Sequence, residues 1–262
     1  MVIRIIFILV LSYSQLGISQ NQFGFGISTG VGSLISKTEL NESPQHTFRA
    51  PLNFFAGIQL KFETFYCVKQ NYIFDVNFEF SNFTFTANDR SLNVLFYPEL
   101  RDGKGFSMIA GGKAKTLTLS AGKMYSFNKL HLVFSANVFI AKFNKQFYNL
   151  VGGKETATTN GVVKHIWEVL PYTEPTYYNN LLTFGVGFKP QLFYDVGSKM
   201  KLKFSVEINK GFNRLIDQAF RTQFISYVEP EKNAVYYNSV VTKGSNLKFY
   251  VGLVYFLDKI DK

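Results

Sequence analysis

Three histidines, His46, His131 and His165, are the side chains best suited to chemistry in this 262-residue chain. Ser135 follows His131 four residues later, and an alternating strand would place both on one face, as a serine nucleophile and its base require. Any two residues four apart share a strand face, so the spacing equally fits two polar side chains that fill an interior. We assign no catalytic residue from it.

The other reactive residue types give no site either. Asp75 and Glu79 share a strand face about 13 Å apart, too far for a paired acid and base, and we expect them to form salt bridges with lysines. His46 and His165 fall in segments typical of long loops, and neither has metal-site spacing. Cys67 is the only cysteine, so no intramolecular disulfide can form. The sequence thus predicts no catalytic residue, cofactor or metal.

The elements that hold these residues alternate between apolar and polar positions with a period of two, which is the signature of strands with one apolar face. In residues 52–63 the pattern is nearly unbroken, with Leu52, Phe54, Ala56, Ile58, Leu60 and Phe62 on one face. A helix would scatter these residues around its circumference. Eight strands are predicted, at 23–31, 52–62, 72–81, 117–127, 130–140, 182–188, 201–209 and 247–257.

The predicted connections alternate in length. Tight links lie at 68–71, 128–129 and 197–199, and long ones at about 33–50, 87–114, 144–180 and 214–244. Short periplasmic turns and long external loops are the layout of outer-membrane barrels, with both termini on the periplasmic side.

Two further regions have strand composition with poorer alternation, namely 91–97 and the pair 220–228 and 235–242. They either raise the strand count to ten or form hairpins that project beyond the membrane, which we favour.

Composition indicates where the apolar face points. Charged residues make up 18% of the chain and aromatic residues 17%. A soluble domain of this composition would have too few charged residues to cover its surface. After the N-terminus no segment is apolar for 18 residues, which excludes a helical membrane protein and leaves a barrel. The polar face is rich in Gly, Ser and Thr, as suits a narrow lumen. Its charges, expected to pair across the lumen, are Lys61, Glu63, Asp75, Glu79, Lys201, Lys203 and Glu207.

Three lysines fall on the apolar face and test this interpretation. Lys142 and Lys210 lie near the long-loop ends, where they can reach lipid headgroups. Lys123, between Ala121 and Tyr125, must either extend to the interface or mark a break in register. A soluble lipid carrier, with the apolar face inward, is the competing interpretation.

The N-terminus is typical of a secretory signal peptide. Arg4 precedes the apolar run 5–11, and a Gly-x-Ser site predicts cleavage between Ser19 and Gln20. The predicted domains are therefore a signal peptide at 1–19 and a barrel domain at 20–262. The net charge is +10, but the lysines are scattered, which favours anionic lipid headgroups over nucleic acid as partners.

Residues 250–257, Tyr-Val-Gly-Leu-Val-Tyr-Phe-Leu, resemble the C-terminal signal read by barrel-assembly machinery. Over its mature length the chain resembles the PorT-like outer-membrane β-barrel family in architecture and composition. The resemblance implies residence in the outer membrane and, for some members, a part in protein secretion. It supplies no site residues.

The sequence therefore predicts an all-β, antiparallel up-and-down transmembrane barrel of eight strands, or alternatively ten, with long extracellular loops. Eight strands enclose an interior that side chains can fill, so we expect no open pore. The expected function is a non-enzymatic structural or interaction role exercised by the external loops. An accessory component of a secretion system is the first alternative, and an enzyme acting on lipid A or phospholipid through His131 is the second.

The expected partners are outer-membrane lipids, lipopolysaccharide, barrel-assembly machinery and other envelope or secretion proteins. Within the loops, residues 162–170 form either a short amphipathic helix or an ordinary surface segment. The loop aromatics Tyr172, Tyr177, Tyr178, Tyr236 and Tyr237 either bind a partner or belong to an interfacial girdle.

Overall fold

The computed structural model describes residues 21–41, 46–49, 58–68, 71–91, 107–144, 153–171, 176–177 and 181–257. These residues form thirteen strands. The strands are β1 (Gln22–Asn41), β2 (His46–Arg49), β3 (Ile58–Val68), β4 (Tyr72–Ser91), β5 (Ser107–Phe127), β6 (Leu130–Phe143), β7 (Gly153–Thr159), β8 (Val162–Pro171), β9 (Thr176–Tyr177), β10 (Leu182–Asp195), β11 (Met200–Gly211), β12 (Ile216–Ser226) and β13 (Ala234–Phe256). No helix among the described residues is long and apolar enough to cross a membrane.

Eight of these strands close an antiparallel barrel in the order β1, β3, β4, β5, β6, β10, β11 and β13. Pairing of β1 with β13, from Gly24 opposite Phe256 onward, completes the circle. Each predicted strand corresponds to one barrel strand, so the eight-stranded prediction is confirmed. Closure leaves no free edge inside the barrel, because every wall strand pairs on both sides.

The tight links lie where the sequence places them. β3 and β4 are joined at 69–71, β5 and β6 at Asn128–Lys129, and β10 and β11 at 196–199. Asn128 adopts a φ of 54°, a left-handed conformation that asparagine tolerates better than most residues. These links define one end of the barrel, where the described chain also begins and ends. We call it the periplasmic end, and the opposite one the extracellular end.

Several strands run further than predicted at the extracellular end. β1 continues to Asn41, β4 and β5 form a hairpin that reaches Ser91 and Ser107, and β13 begins at Ala234. The β4–β5 hairpin persists because its backbone groups stay paired beyond the barrel, as far as Asn88 opposite Ser107. The predicted start of the second strand at 52–57, the signal peptide at 1–19 and residues 92–97 lie outside the described residues.

The same sheet continues beyond the extracellular end of the barrel. The first part of β13 pairs with β12, β12 with β8, and β8 with β7. We call these strands the projecting sheet. Residues 220–228 and 235–242 thus project as a hairpin and add nothing to the barrel, as favoured from the sequence. The suggested helix at 162–170 is wrong, because this segment is strand β8 with partners on both sides.

The barrel interior is layered. An apolar cluster lies at the periplasmic end and comprises Phe65, Cys67, Ile73, Val133, Phe193, Val254 and Phe256. A second lies toward the extracellular end and comprises Leu34, Ala114, Phe139, Ala141, Phe143, Leu181 and Leu215. Buried polar and charged side chains occupy the space between them. The barrel therefore has a filled lumen, as expected for eight strands.

Candidate functional site

The outer wall of the barrel is apolar. Alternate residues of every wall strand point outward and are about half exposed, including Phe25, Ile27, Leu60, Phe62, Phe78, Leu119, Phe134, Val138, Ile140, Phe184, Val186, Phe188, Phe204, Ile208, Phe249, Val251 and Leu253. The buried inward positions are instead largely polar. This is the reverse of a soluble barrel, so the alternative of a soluble lipid carrier is wrong.

The apolar wall has polar or amphipathic boundaries at both ends. At the periplasmic end Tyr72, Tyr125, Tyr194 and Tyr255 point outward, as interfacial aromatic residues do. At the extracellular end Lys142 and Lys210 are exposed on the outward register, as predicted. Along β6 the wall from Leu132 to Lys142 measures about 34 Å, which a tilt of about 40° reduces to about 26 Å, close to the apolar band of an outer-membrane barrel.

Of the two alternatives for Lys123, the structure supports a side chain that extends to the membrane interface rather than a break in the strand register. The strand register is continuous through Lys123, which pairs with Tyr72 on one side and Phe134 on the other. The side chain is exposed, and its ammonium lies 5.2 Å from the ring centroid of Tyr125. With lysines and tyrosines at its margins and an apolar centre, the closed barrel is a transmembrane protein of an outer membrane.

A layer of buried ion pairs crosses the middle of the lumen. Among the described residues four lysines and four carboxylates are buried there, namely Lys61, Lys189, Lys203, Lys248, Glu63, Asp75, Glu79 and Glu207. The formal charges of this set cancel. We call it the ion-pair layer.

Each charge of the ion-pair layer has an opposite partner on another strand. Lys61 Nζ donates to Glu207 Oε1 at 2.7 Å, and Lys203 donates to Glu63. Lys61 also lies 3.4 Å from the ring centroid of Tyr250. These contacts confirm the prediction that Lys61, Glu63, Lys203 and Glu207 pair across the lumen.

The remaining pairs involve two lysines that the sequence analysis did not single out. Lys189 donates to Asp75, and Lys248 Nζ lies 2.8 Å from both Glu79 carboxylate oxygens. Glu79 also accepts a 2.7 Å hydrogen bond from the Tyr250 hydroxyl. The inward direction of Lys248 could have been predicted from the sequence, because its neighbours Leu247 and Phe249 are apolar and point outward. Lys189 was not, because Pro190 follows it and the predicted strand stopped at 188.

Glycines on the inward face make room for this layer. A Cβ at Gly187 would lie 2.0 Å from Asn209 Oδ1 and 2.7 Å from Asn137 Oδ1. A Cβ at Gly252 would lie 2.1 Å from Ser28 Oγ. The small residues of the polar face are therefore a packing requirement of a narrow, filled lumen.

A second polar cluster lies at the periplasmic end of the lumen. Ser126 of β5 pairs across the tight turn with His131 of β6, and Ser126 Oγ lies 2.8 Å from His131 Nδ1. His131 Nε2 lies 3.1 Å from Asp195 Oδ2 on β10. Lys201 of β11 pairs with Asp195 in register and donates to its other oxygen. We call these four residues the mouth cluster.

The mouth cluster opens onto a cavity of about 560 Å³. We call this cavity the vestibule. Its inner wall is the periplasmic apolar cluster, represented by Cys67, Ile73, Phe193 and Phe256, together with Met124. Ser198, Lys199 and Leu257 line its rim. The vestibule thus combines an apolar surface with ionisable groups and lies within the size range of small-molecule sites.

The pair suggested by the sequence, His131 with Ser135, is not brought together. Ser135 is buried deeper in the lumen, beyond Val133, and its Oγ accepts a long 3.4 Å hydrogen bond from Gln191. Asp75 and Glu79 form separate ion pairs, as expected.

The other two histidines lie in strands, which corrects their predicted position in loops. His46 is in β2, and His165 is buried in β8, where its ring stacks on Phe224. Within the described ranges no group of three or more His, Cys, Asp or Glu side chains could hold a metal ion.

The far tip of the projecting sheet exposes apolar side chains. The turn between β7 and β8 and the turn between β12 and β13 meet there, because Tyr227 N donates to Lys164 O at 2.9 Å. Val162, Tyr227 and Val228 are 65%, 61% and 57% exposed. Tyr236 and Tyr237 also belong to this sheet, and Tyr172 and Tyr178 lie outside the described residues.

No family model and no curated protein matches the chain. Among solved structures, the outer membrane protein OprG from Pseudomonas aeruginosa is similar over 91% of this chain and 96% of its own, with 10% identity and a TM-score of 0.45. Neisserial surface protein A gives 89% and 96% coverage, 9% identity and a TM-score of 0.42. A major outer membrane protein from Thermus thermophilus gives 90% and 99% coverage, 12% identity and a TM-score of 0.42.

Proposed function

We propose that this chain is an outer-membrane anchor for an interaction module, in which the barrel holds the projecting sheet outside the cell and the sheet tip binds another protein of the cell envelope. The single observation on which this rests is the apolar tip formed by Val162, Tyr227 and Val228. Large apolar side chains gathered at the end of a projection are typical of binding surfaces.

A closed lumen supports an interaction role over transport. The ion-pair layer lies between two apolar clusters. Its side chains are held by contacts between strands that are distant in the sequence, such as the hydrogen bond from Lys61 to Glu207. A diffusion channel of the porin type has more strands and a wide aqueous lumen.

The construction of the projecting sheet supports the same function. Its root is part of the barrel wall, because β13 runs without interruption from the sheet into the wall. A tip mounted on continuous strands is presented at a fixed place relative to the membrane. Residues on such rigid elements bind partners at a lower entropic cost than residues on a loose loop.

The test is site-specific photocrosslinking in intact cells. A photoreactive amino acid at Tyr227 should give a discrete adduct with one envelope protein. The same residue at Val196, which is similarly exposed but lies at the opposite end of the barrel, should not give that adduct. Serine at Val162 and Val228 should weaken the Tyr227 adduct, because the apolar contact is lost.

Heat-modifiable migration on gels would verify that each variant retains the folded barrel. An adduct of the same mass from both positions, or none from Tyr227 in cells with folded barrel, would refute a binding role for the tip. The identity of a specific adduct would decide whether the partner belongs to a secretion system.

A further inference from the structure

The mouth cluster has a chemical arrangement that an interaction role does not use. Four neighbouring strands bring Ser126, His131, Asp195 and Lys201 together at the vestibule. His131 lies between the serine and the aspartate, with one ring nitrogen toward each, at 2.8 Å from Ser126 Oγ and 3.1 Å from Asp195 Oδ2. Serine hydrolases use this arrangement, in which a nucleophile, a base and a group that orients the base follow one another in a line.

The two hydrogen bonds of His131 have compatible directions in one tautomer. With its hydrogen on Nε2, the imidazole donates to Asp195, and Nδ1 accepts the hydrogen of the Ser126 hydroxyl. Lys201 donates to the second oxygen of Asp195. Its ammonium also lies 3.0 Å from Nε2, to which it can donate only in the other tautomer, so the hydrolytic tautomer requires that Asp195 alone accepts from Lys201. The backbone N–H of Asp195 also donates to Lys129 O at 2.9 Å, which fixes the backbone that carries this carboxylate.

The exposure of the four side chains fits this division of roles. Ser126 is exposed at the periplasmic opening, whereas His131, Asp195 and Lys201 are partly buried behind it. A substrate from the periplasmic side therefore meets the serine hydroxyl first.

The vestibule defines the class of substrate. Its inner wall is apolar, with Ile73, Phe193 and Phe256, and Lys199 is among the residues of its rim. An acyl chain fits this apolar inner wall.

We propose that the vestibule is an esterase site for carboxylic esters with an apolar acyl chain, with Ser126 as the nucleophile and His131 as its base. Asp195 and Lys201 are positioning residues. This activity goes beyond the proposed binding role of the tip and is independent of it, because the two sites lie at opposite ends of the molecule.

The reaction balances without any further reagent. Ser126 Oγ attacks the carbonyl carbon while its proton moves to His131 Nδ1, and the ester C–O bond breaks as His131 returns the proton to the leaving alcohol. Water then attacks the acyl-serine, giving a proton to His131. Cleavage of the Ser126 ester releases the carboxylic acid and restores the hydroxyl.

The test uses the full-length barrel in detergent micelles, incubated with a fluorophosphonate that attaches covalently to activated serines. Peptide mass spectrometry should locate the label on Ser126. Ser126→Ala should abolish labelling, and His131→Ala should slow it by about 100-fold or more, the usual contribution of a general base. The same two variants should lose hydrolysis of p-nitrophenyl octanoate.

Ser120→Ala is the matched control, because Ser120 lies on the same strand as Ser126 but does not line the vestibule. It should be labelled like the wild type. For the positioning role of Asp195, Asp195→Asn should slow labelling and Asp195→Glu should recover part of the rate, a rescue that a purely structural defect would not give.

Gel migration with and without heating identifies the variants that have a folded barrel, and labelling is compared among those variants only. A folded wild type that takes no label would overturn the proposal. Equal loss of labelling in Ser126→Ala and Ser120→Ala would overturn it as well.

Discussion

Single residues in the lumen are constrained by charge compensation. Removing an ion from water costs several kcal/mol, and only a close partner of opposite charge offsets that cost. Glu79 illustrates the requirement, with Lys248 2.8 Å from both its oxygens and the Tyr250 hydroxyl at 2.7 Å. Such pairs add little net stability over apolar packing, but losing one partner is costly because the other charge stays buried.

Glu79→Gln should therefore destabilise the barrel strongly. The substitution keeps the size of the side chain but leaves the Lys248 ammonium without its counter-charge, at a cost of about 3–5 kcal/mol. Urea unfolding in detergent micelles, followed by the heat-sensitive gel shift, measures the change in free energy of unfolding.

The double variant Glu79→Gln with Lys248→Met is the matched control for this prediction. Removing both charges avoids an isolated buried ion, so it should be clearly more stable than Glu79→Gln alone. Equal stability of the single and double variants would show that the pair is not coupled.

Among the elements, β13 connects the barrel to the projecting sheet. Its later part pairs with β11 and its first part with β12, and the exchange of partner occurs between Thr242 and Asn246. Gly244 lies within this exchange with a φ of 79°, a backbone conformation that glycine adopts without strain. A Cβ there would lie 2.6 Å from Thr183 Cγ2.

Gly244→Val should detach the projecting sheet while the barrel stays closed. The β-branched side chain is strained at this φ and meets Thr183, at a combined cost of at least about 1–3 kcal/mol. We expect faster cleavage of β12 and β8 in limited proteolysis, with heat-modifiable migration unchanged.

Gly161→Ala provides the comparison. Gly161 has a φ of 76°, but its Cβ would meet nothing within 4 Å, so this variant has backbone strain alone. It should be cleaved less readily than Gly244→Val. Unchanged proteolysis of Gly244→Val would mean that the connection tolerates a side chain.

The whole molecule is a closed barrel with three lumen layers, apolar, ionic and apolar. The ionic layer makes the centre rigid through contacts between distant strands, as in Lys203 with Glu63. Each apolar cluster excludes water from one side of it. Because the layers are stacked along the axis, an ion would have to displace all three to cross.

Wild-type protein should therefore give no steady conductance in planar bilayer recordings. Phe65→Ala with Phe193→Ala opens the periplasmic apolar layer only, and it should also remain non-conducting because the other two layers persist. Steady ohmic steps from the wild type would contradict the layered closure.

The sequence by itself determined most of the barrel. Period two, the tight links and their alternation with long ones predict eight strands and the direction of each side chain, because side-chain direction in a strand is a local property. Inward Lys61 and Glu207 and outward Lys142 and Lys210 follow from it. The pairing of Ser126 with His131 could also have been predicted, because the two-residue turn at Asn128–Lys129 fixes which residues lie opposite each other.

Tertiary structure alone decided which inward side chains meet. Lys61 and Glu207 are 146 residues apart, and the approach of Asp195 to His131 depends on the order of strands around the barrel. It also decided that 162–171 is a strand, because β8 is stabilised by partners on both sides and has no clear alternation of its own. Contacts between strands distant in sequence depend on closure of the whole sheet, which no local pattern encodes.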